Sequence, residues 1–300
     1  MYPTGDTIVN LLDASCPESN LRGIGRGGVS AALVDWTDQS KLRMLDSSGY
    51  EFLRAVALSR LYSPSVWTLS KPHPFECDDG HIYWCKGNSV EAPVQGGLAA
   101  ELIAGRFADR LGVGGPSEII HVDEDLAPPD GSARNLVGFV AGSRHREGMA
   151  NARSWIEIMG TSRFAATLID PLDRAKVVAF QTWLGAEDAQ VLVDYLDRKL
   201  LSIDHGGCFT QIDRFAHELD VVATYVPGTD ADLGRQVPFV ERAVCEIESI
   251  SDETLLATLS CIPDGPRWDA GIDRRLAIGA WLAHRRDHLR PALYKWAIGP

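Results

Sequence analysis

Strand signals in this chain crowd into residues 71–140, and a mainly helical pattern fills the second half. That segregation constrains the fold more than any other feature. Alternating strands and helices build a doubly wound parallel sheet, whereas strands grouped apart from helices build an α+β fold. Residues 71–77 and 81–86 read as strands joined at Asp78-Asp79-Gly80, where Asp-Gly supplies the positive φ of a tight hairpin turn. Residues 97–111 read as an amphipathic helix, with Leu98, Leu102, Ile103 and Phe107 on one face and Gly112 past its end. Apolar runs at 119–122 and 136–140 read as buried strands. From about residue 143 the pattern turns helical, with a helix predicted over 173–184 and further helices with Pro and Gly breaks over 215–296. Two short strands, 191–192 and 200–203, interrupt it, joined by the polar turn Asp197-Arg198-Lys199. The start of the chain also reads as helical: 7–14 behind a capping Asp6, then 30–36 and 50–62, the last ended by Ser63-Pro64.

Composition sets the outer bounds. A chain of 300 residues that is 45% hydrophobic can bury one large core or two smaller ones. A net charge of −12 argues against nucleic acid as a direct ligand. The most apolar long stretch, 50–70, carries Glu51, Arg54 and Arg60, so no membrane span is expected. The opening MYPTGDTIVN has neither a basic nor an apolar region, so no secretory signal is expected. Cys16, Cys77, Cys85, Cys208, Cys245 and Cys261 form no CxxC pair, a pattern expected of reduced thiols in a cytoplasmic protein. His205 with Cys208 is one pair of metal-ligand types and makes no cage.

Gly23, Gly25 and Gly28 match G-x-G-x-x-G literally. A dinucleotide fingerprint needs a strand in front, and residues 16–22, with Pro17 and Asn20, make a poor one. A kinase glycine loop needs flanking strands and a nearby lysine, and Lys86 lies far downstream. The plain reading is a loop or helix start, although its amides with Arg22 and Arg26 suit an anion.

A second set of residues is more informative by its order. Lys86 ends a hairpin strand, and Glu101 follows fifteen residues later on the amphipathic helix. Asp188 follows a helix in Trp183-Leu-Gly-Ala-Glu-Asp188-Ala-Gln190, and Asp204 follows a short strand in Ser202-Ile-Asp204-His-Gly-Gly207. Taken singly, the lysine is a solvated strand end, Glu101 a helix surface charge and Asp188 a turn cap. Asp204 is harder to set aside, because a carboxylate behind an apolar strand is costly to desolvate without a partner. Together the four supply what phosphoryl transfer from MgATP requires. A lysine holds phosphates, a glutamate holds the lysine, one carboxylate takes or orients the acceptor's proton, and another holds Mg²⁺.

These motifs resemble the HipA-like kinases, relatives of the phosphatidylinositol kinases. The resemblance rests on Phe180-Gln-Thr-Trp-Leu-Gly-Ala-Glu-Asp188 with Ile203-Asp-His-Gly206 and Phe209, on Asp79-Gly-His-Ile-Tyr-Trp-Cys-Lys86, and on the run from Ala99 through Glu101 to Val113. Trp281-Leu-Ala-His-Arg-Arg-Asp-His-Leu289 is similar to the family's last helix. The resemblance implies a bilobal kinase-like fold within the α+β class. A helical extension would cover 1–62, a small β-rich nucleotide-binding lobe 63–141, and a helical catalytic lobe 142–300. It implies ATP and Mg²⁺ as cofactors and transfer to a Ser/Thr hydroxyl of a protein. Lys86 would contact phosphates, Glu101 would pair with it, Asp188 would be the catalytic carboxylate and Asp204 the metal ligand. Ser70, Lys71 and Gly206 join Lys86 as nucleotide contacts, and His205 with Gly206 shapes the metal-binding turn. Nucleotide stacking would fall on 136–140 and the loop behind it.

Two departures bear on activity. The family places an asparagine, a second metal ligand, shortly after the catalytic aspartate, yet no asparagine follows Asn151 in this chain. Gln190 is the substitute by position, with a longer and less rigid stem. The basic residue that commonly follows the aspartate is Ala189 here. A nucleotide-binding pseudokinase, or an enzyme phosphorylating a small-molecule hydroxyl, therefore stands beside the protein kinase reading.

Overall fold

The computed structural model describes residues 35–46, 50–59, 72–87, 97–127, 134–151, 169–186, 190–194, 196–209, 212 and 237–298. All lie in the unit Asp35–Pro300. The chain is mixed α and β, as its segregated pattern predicts. The described elements are α1 (Gln39–Asp46), β1 (Leu53–Leu58), β2 (His73–Cys77), β3 (Ile82–Lys86), α2 (Gly97–Arg110), β4 (Ser117–Val122), β5 (Gly138–Arg144) and β6 (Met149–Asn151). They continue as α3 (Pro171–Leu184), β7 (Gln190–Asp194), β8 (Lys199–Ile203), a 3-10 turn (His205–Gly207), α4 (Val237–Glu248), α5 (Asp252–Ser260) and α6 (Ile272–Ile298).

Five strands close a barrel in the order β1-β2-β3-β5-β4, shut by parallel pairing of β1 with β4. Alternation along the strands sends Ala55, Phe75, Cys77, Tyr83, Cys85, Ile120, Val122 and Val140 inward. The predicted Asp-Gly hairpin forms, with Gly80 at φ 79°. Helix α2 packs on the outer face of the barrel. Gly105 makes the approach possible, since a Cβ there would overlap the side chain of Ser117 on β4. The core continues through α2, where Phe107 meets Trp183 of α3 edge-to-face at 5.1 Å.

A second sheet, β6-β7-β8, lies in the helical half, with α3 packed on β8. Asp170 caps α3, accepting from Leu172 N–H at 2.8 Å, and Pro171 occupies its first turn. Gly185 ends it in the left-handed conformation at φ 70°. Among the described residues, no helix is long and apolar enough to cross a membrane.

The structure corrects four expectations. Residues 50–62 were expected to be helical, but Leu53–Leu58 is a strand in the barrel, paired to β2 and β4. Leu-Arg-Ala-Val-Ala-Leu favours helix by propensity, and pairing on both edges overrides it. The sheet therefore begins before residue 63. The strand expected over 136–140 runs instead from Gly138 to Arg144. Its small residues are a packing requirement, because a Cβ on Gly142 would stand 2.6 Å from Ile120 Cγ1. Past residue 143 the chain adds β6, paired with β7, before any helix. Cys77, Cys85 and Cys208 are buried free thiols, but Cys245 is disulfide-bonded, so the expectation of reduced thiols fails there. The helix expected over 7–14 and the glycine segment 23–28 lie outside the described residues. So does most of the helix expected over 30–36, and Trp36 at its end stands in a turn.

Candidate active site

Lys86 is the last residue of β3 and points out of the barrel toward α2. Its ammonium donates to Glu101 Oε1 and, at 2.7 Å, to Asp204 Oδ1. Three elements meet at this point: a strand end, the first half of α2, and the turn after β8. Glu101 is 7% exposed, Lys86 15% and Asp204 22%, so the cluster is most open to solvent at Asp204. Gly206 N–H also donates to Glu101 Oε1, at 2.9 Å. One carboxylate oxygen therefore holds both the lysine and the turn that carries Asp204. Gly206 has little room for anything larger, since a Cβ would stand 3.2 Å from that oxygen.

Charge follows from burial. Desolvation alone would pull the lysine pKa down, but the carboxylates of Glu101 and Asp204 outweigh it and hold it above the usual value. Burial raises Glu101 more than Lys86 lowers it. Asp204 is less enclosed; burial raises its pKa, but Lys86 wins and holds it below the usual range. The ammonium and the Asp204 carboxylate are thus both charged at neutral pH.

The backbone fixes Asp204. It sits in the left-handed region at φ 59°, ψ 62°, which aspartate tolerates better than most residues. Phe209, five residues on, is also left-handed at φ 64° and buried. Behind Asp204, Gln181 of α3 donates to Ser202 Oγ, and that hydroxyl lies 2.7 Å from His205 Nε2. Burial, helped by the charge of Lys86, lowers the His205 pKa to about 3, so its ring is neutral. The structure adds Gln181 and Ser202 to the predicted set. Their signal is visible in hindsight: each is a polar residue inside an apolar run, where a partner is required.

Of the predicted site residues, Lys86, Glu101, Asp204 and Gly206 come together. Gln190 opens β7 and pairs with Ile203, the neighbour of Asp204. Asp188, Ser70 and Lys71 lie outside the described residues. Beside Lys86, the barrel strand β5 presents Ala141 in register. Asp204 offers one carboxylate, the oxygen chemistry that Mg²⁺ takes, and Gln190 is joined to its turn by the strand pairing with Ile203. Among the described residues no group of three His, Cys, Asp or Glu side chains forms a cage.

The model of the HipA-like kinase family matches residues 63–241, a span that contains Lys86, Glu101, Asp188 and Asp204. No curated protein matches the chain. Among solved structures, a Helicobacter pylori proinflammatory kinase, CtkA, is similar at 10% identity and a TM-score of 0.44, covering 83% of this chain and 99% of its own. The open conformation of CtTel1 is similar at 10% identity and a TM-score of 0.38, with 76% of this chain and 12% of that one covered. The FAT and kinase domain of CtTel1 gives 11% identity and a TM-score of 0.37, with 76% and 22% covered.

Proposed function

The chain belongs to the HipA-like kinase family, and we propose that it is an ATP- and Mg²⁺-dependent phosphotransferase acting on a Ser/Thr hydroxyl of a protein. The observation that carries the reading is the ammonium of Lys86 held between Glu101 and Asp204. A barrel with α2 against it and a helical half behind supports a bilobal kinase-like architecture, with the small lobe starting at Leu53.

Lys86 donates to the nucleotide phosphates, and Glu101 keeps its ammonium aimed at them. Asp204, with the Gln190 amide oxygen, would hold Mg²⁺, which when bound would supply neutralisation of the phosphate charge. Ser70, Lys71 and Gly206 border the nucleotide. Asp188 accepts the proton of the acceptor hydroxyl as its oxygen bonds to the γ-phosphorus, the β–γ bridging bond breaks, and ADP leaves. The test is a thermal-shift series with ATP, with and without Mg²⁺, read together with intact mass. At 100 times Kd, binding stabilises by about 2.7 kcal/mol. A Mg²⁺-dependent shift and an added phosphate in wild type, both lost in Asp204→Asn, are expected. No shift with any nucleotide overturns the reading.

One observation favours a pseudokinase as the second reading. Strand β7 starts at Gln190, so only Ala189 separates it from Asp188. The loop is short, and no asparagine follows it. An ATP shift without phosphate on any protein acceptor would support this second reading.

A further inference from the structure

The long helix α6 carries two histidines four residues apart, His284 and His288, and both are exposed. Residues at that spacing lie one above the other on a helix face. Their rings meet: the centroids are 4.2 Å apart and the planes are inclined by 30°. A carbonyl oxygen can only accept, so the 2.8 Å contact between His288 Nδ1 and His284 O is an N–H donation from the ring. That bond settles the tautomer. The neutral His288 ring then carries its free lone pair on Nε2, the ring nitrogen farther from the backbone. Histidines that bind metal are characteristically held this way, the other ring nitrogen donating to a carbonyl or carboxylate.

The neighbours leave the pair open. The two arginines between them turn inward. Arg285 donates to the carbonyls of Thr182 and Trp183 at the end of α3. Arg286 donates to Ile250 O and pairs with Asp252. Asp287 is taken up by Arg286 Nε. Within a turn on either side stand the exposed Ala280 and Pro291, which bring neither charge nor a long side chain.

Two imidazoles on one helix face can grip an ion from the same side. In a tetrahedral site with metal–nitrogen bonds of about 2.0–2.1 Å, two ligand nitrogens stand roughly 3.3 Å apart. Rings whose centroids are 4.2 Å apart reach that separation by small rotations. Imidazole suits Zn²⁺ and Ni²⁺, whereas Mg²⁺ takes oxygen ligands. No third His, Cys, Asp or Glu completes a cage among the described residues, so the other coordination positions stay open.

We propose that His284 and His288 form a surface site for a divalent transition-metal ion such as Zn²⁺ or Ni²⁺, held by one nitrogen of each ring and completed by water or an exchangeable ligand. The site shares no residue with the Lys86, Glu101 and Asp204 cluster. It stands whether or not the chain transfers phosphate.

The experiment is a calorimetric titration of the full-length, EDTA-stripped chain with Zn²⁺, Ni²⁺ or Mg²⁺ alone, at about pH 7.5, where histidine is mostly neutral. It compares wild type with His284→Gln, His288→Gln and His81→Gln. His81 is an exposed histidine on another element, in contact with Arg144, and controls for loss of any surface imidazole. Losing only an outer partner of a metal ligand costs roughly 10- to 100-fold in affinity, so losing a ligand costs at least that. One equivalent of Zn²⁺ or Ni²⁺ binding is therefore expected in wild type and His81→Gln, weakened by at least that factor in His284→Gln and in His288→Gln. Mg²⁺ heats are expected to be the same in all four proteins. The inference is overturned if wild type binds neither Zn²⁺ nor Ni²⁺, if the two pair variants bind them as wild type does, if only one histidine of the pair matters, or if His81→Gln shares the loss. Should one pair variant fail to fold, the other decides: wild-type affinity in it overturns the site.

Discussion

Replacing Lys86 by methionine removes one positive charge and little else. The stem length and its apolar packing stay, and the ammonium goes. Two carboxylates, Glu101 and Asp204, are then left pointing at one spot, the first buried and the second one-fifth exposed. Removing one partner of a buried ion pair costs about 3–5 kcal/mol. Solvent reaches Asp204, and Glu101 keeps the Gly206 N–H, so the lower end, about 3 kcal/mol, is expected. For a domain of this size that lowers Tm by roughly 6–12 °C. The deficit depends on pH with a definite sign. The Glu101 pKa is already raised by burial and rises further without the lysine, so its protonated form relieves the repulsion. Stability of the variant is therefore retained at acid pH and lost as pH rises through the raised pKa. Mg²⁺ without nucleotide should stabilise the variant more than the wild type, whose Asp204 is already held by Lys86. Calorimetry at pH 5 and pH 8, with EDTA or Mg²⁺, reads all three effects. A Tm unchanged within about 2 °C, or equal Mg²⁺ shifts in the two proteins, would refute the reasoning.

Three further outcomes follow from buried groups elsewhere. Arg174 on α3 is 0% exposed, and its three guanidinium nitrogens find no hydrogen-bond partner among the described residues. Orphaned buried polar groups cost about 1–3 kcal/mol, so Arg174→Met should raise Tm by roughly 2–6 °C; a lower Tm would reveal a partner. His205 titrates near 3 when folded and near 6.5 when unfolded, so its contribution is complete above pH 6.5 and declines below it. Between pH 7 and pH 5 the metal-free wild type should lose about 2 kcal/mol more than His205→Gln in urea unfolding, and equal losses would sink the assignment. Alanine normally stabilises a helix interior over glycine by about 1 kcal/mol. At Gly279 a Cβ would overlap the Trp36 ring, so Gly279→Ala should instead destabilise by about 1–3 kcal/mol in chemical denaturation, and a more stable variant would contradict that packing.

Two parts of the site are legible in sequence because each places a charged group where an element ends. Lys86 closes a hairpin strand and Asp204 follows an apolar one, so their chemistry stood out against their neighbours. Glu101 was legible only through its spacing from Lys86. The hairpin and α2 were read nearly to the residue, because a turn dipeptide and a helical period act locally. Strand β1 was not, since nothing local tells a strand of Leu, Arg and Ala from a helix; its partners, β2 and β4, make it a strand. The tie between Arg285 and the end of α3 was invisible for the same reason. Its donors and acceptors are 102 and 103 residues apart, and an arginine on a long helix reads as surface charge. Gln181 and Ser202 sit between, as polar residues in apolar runs that demanded a partner without naming it.

Glu101 is the joint between the two parts of the site. Its Oε1 accepts from Lys86, which the barrel positions, and from Gly206 N–H, which belongs to the Asp204 turn. The Gly206 bond to Glu101 does not depend on where the Lys86 ammonium points. Asp204 is held by its own left-handed backbone, by His205 against Ser202, and by Gln181 behind them. None of these needs the lysine. On the proposed reading, the lysine would exchange a carboxylate for a phosphate while the Asp204 carboxylate stays in place. This is why Lys86→Met is expected to leave a folded protein with an intact Asp204 turn, whereas Glu101→Ala, which removes the joint, is expected to loosen both sides at once.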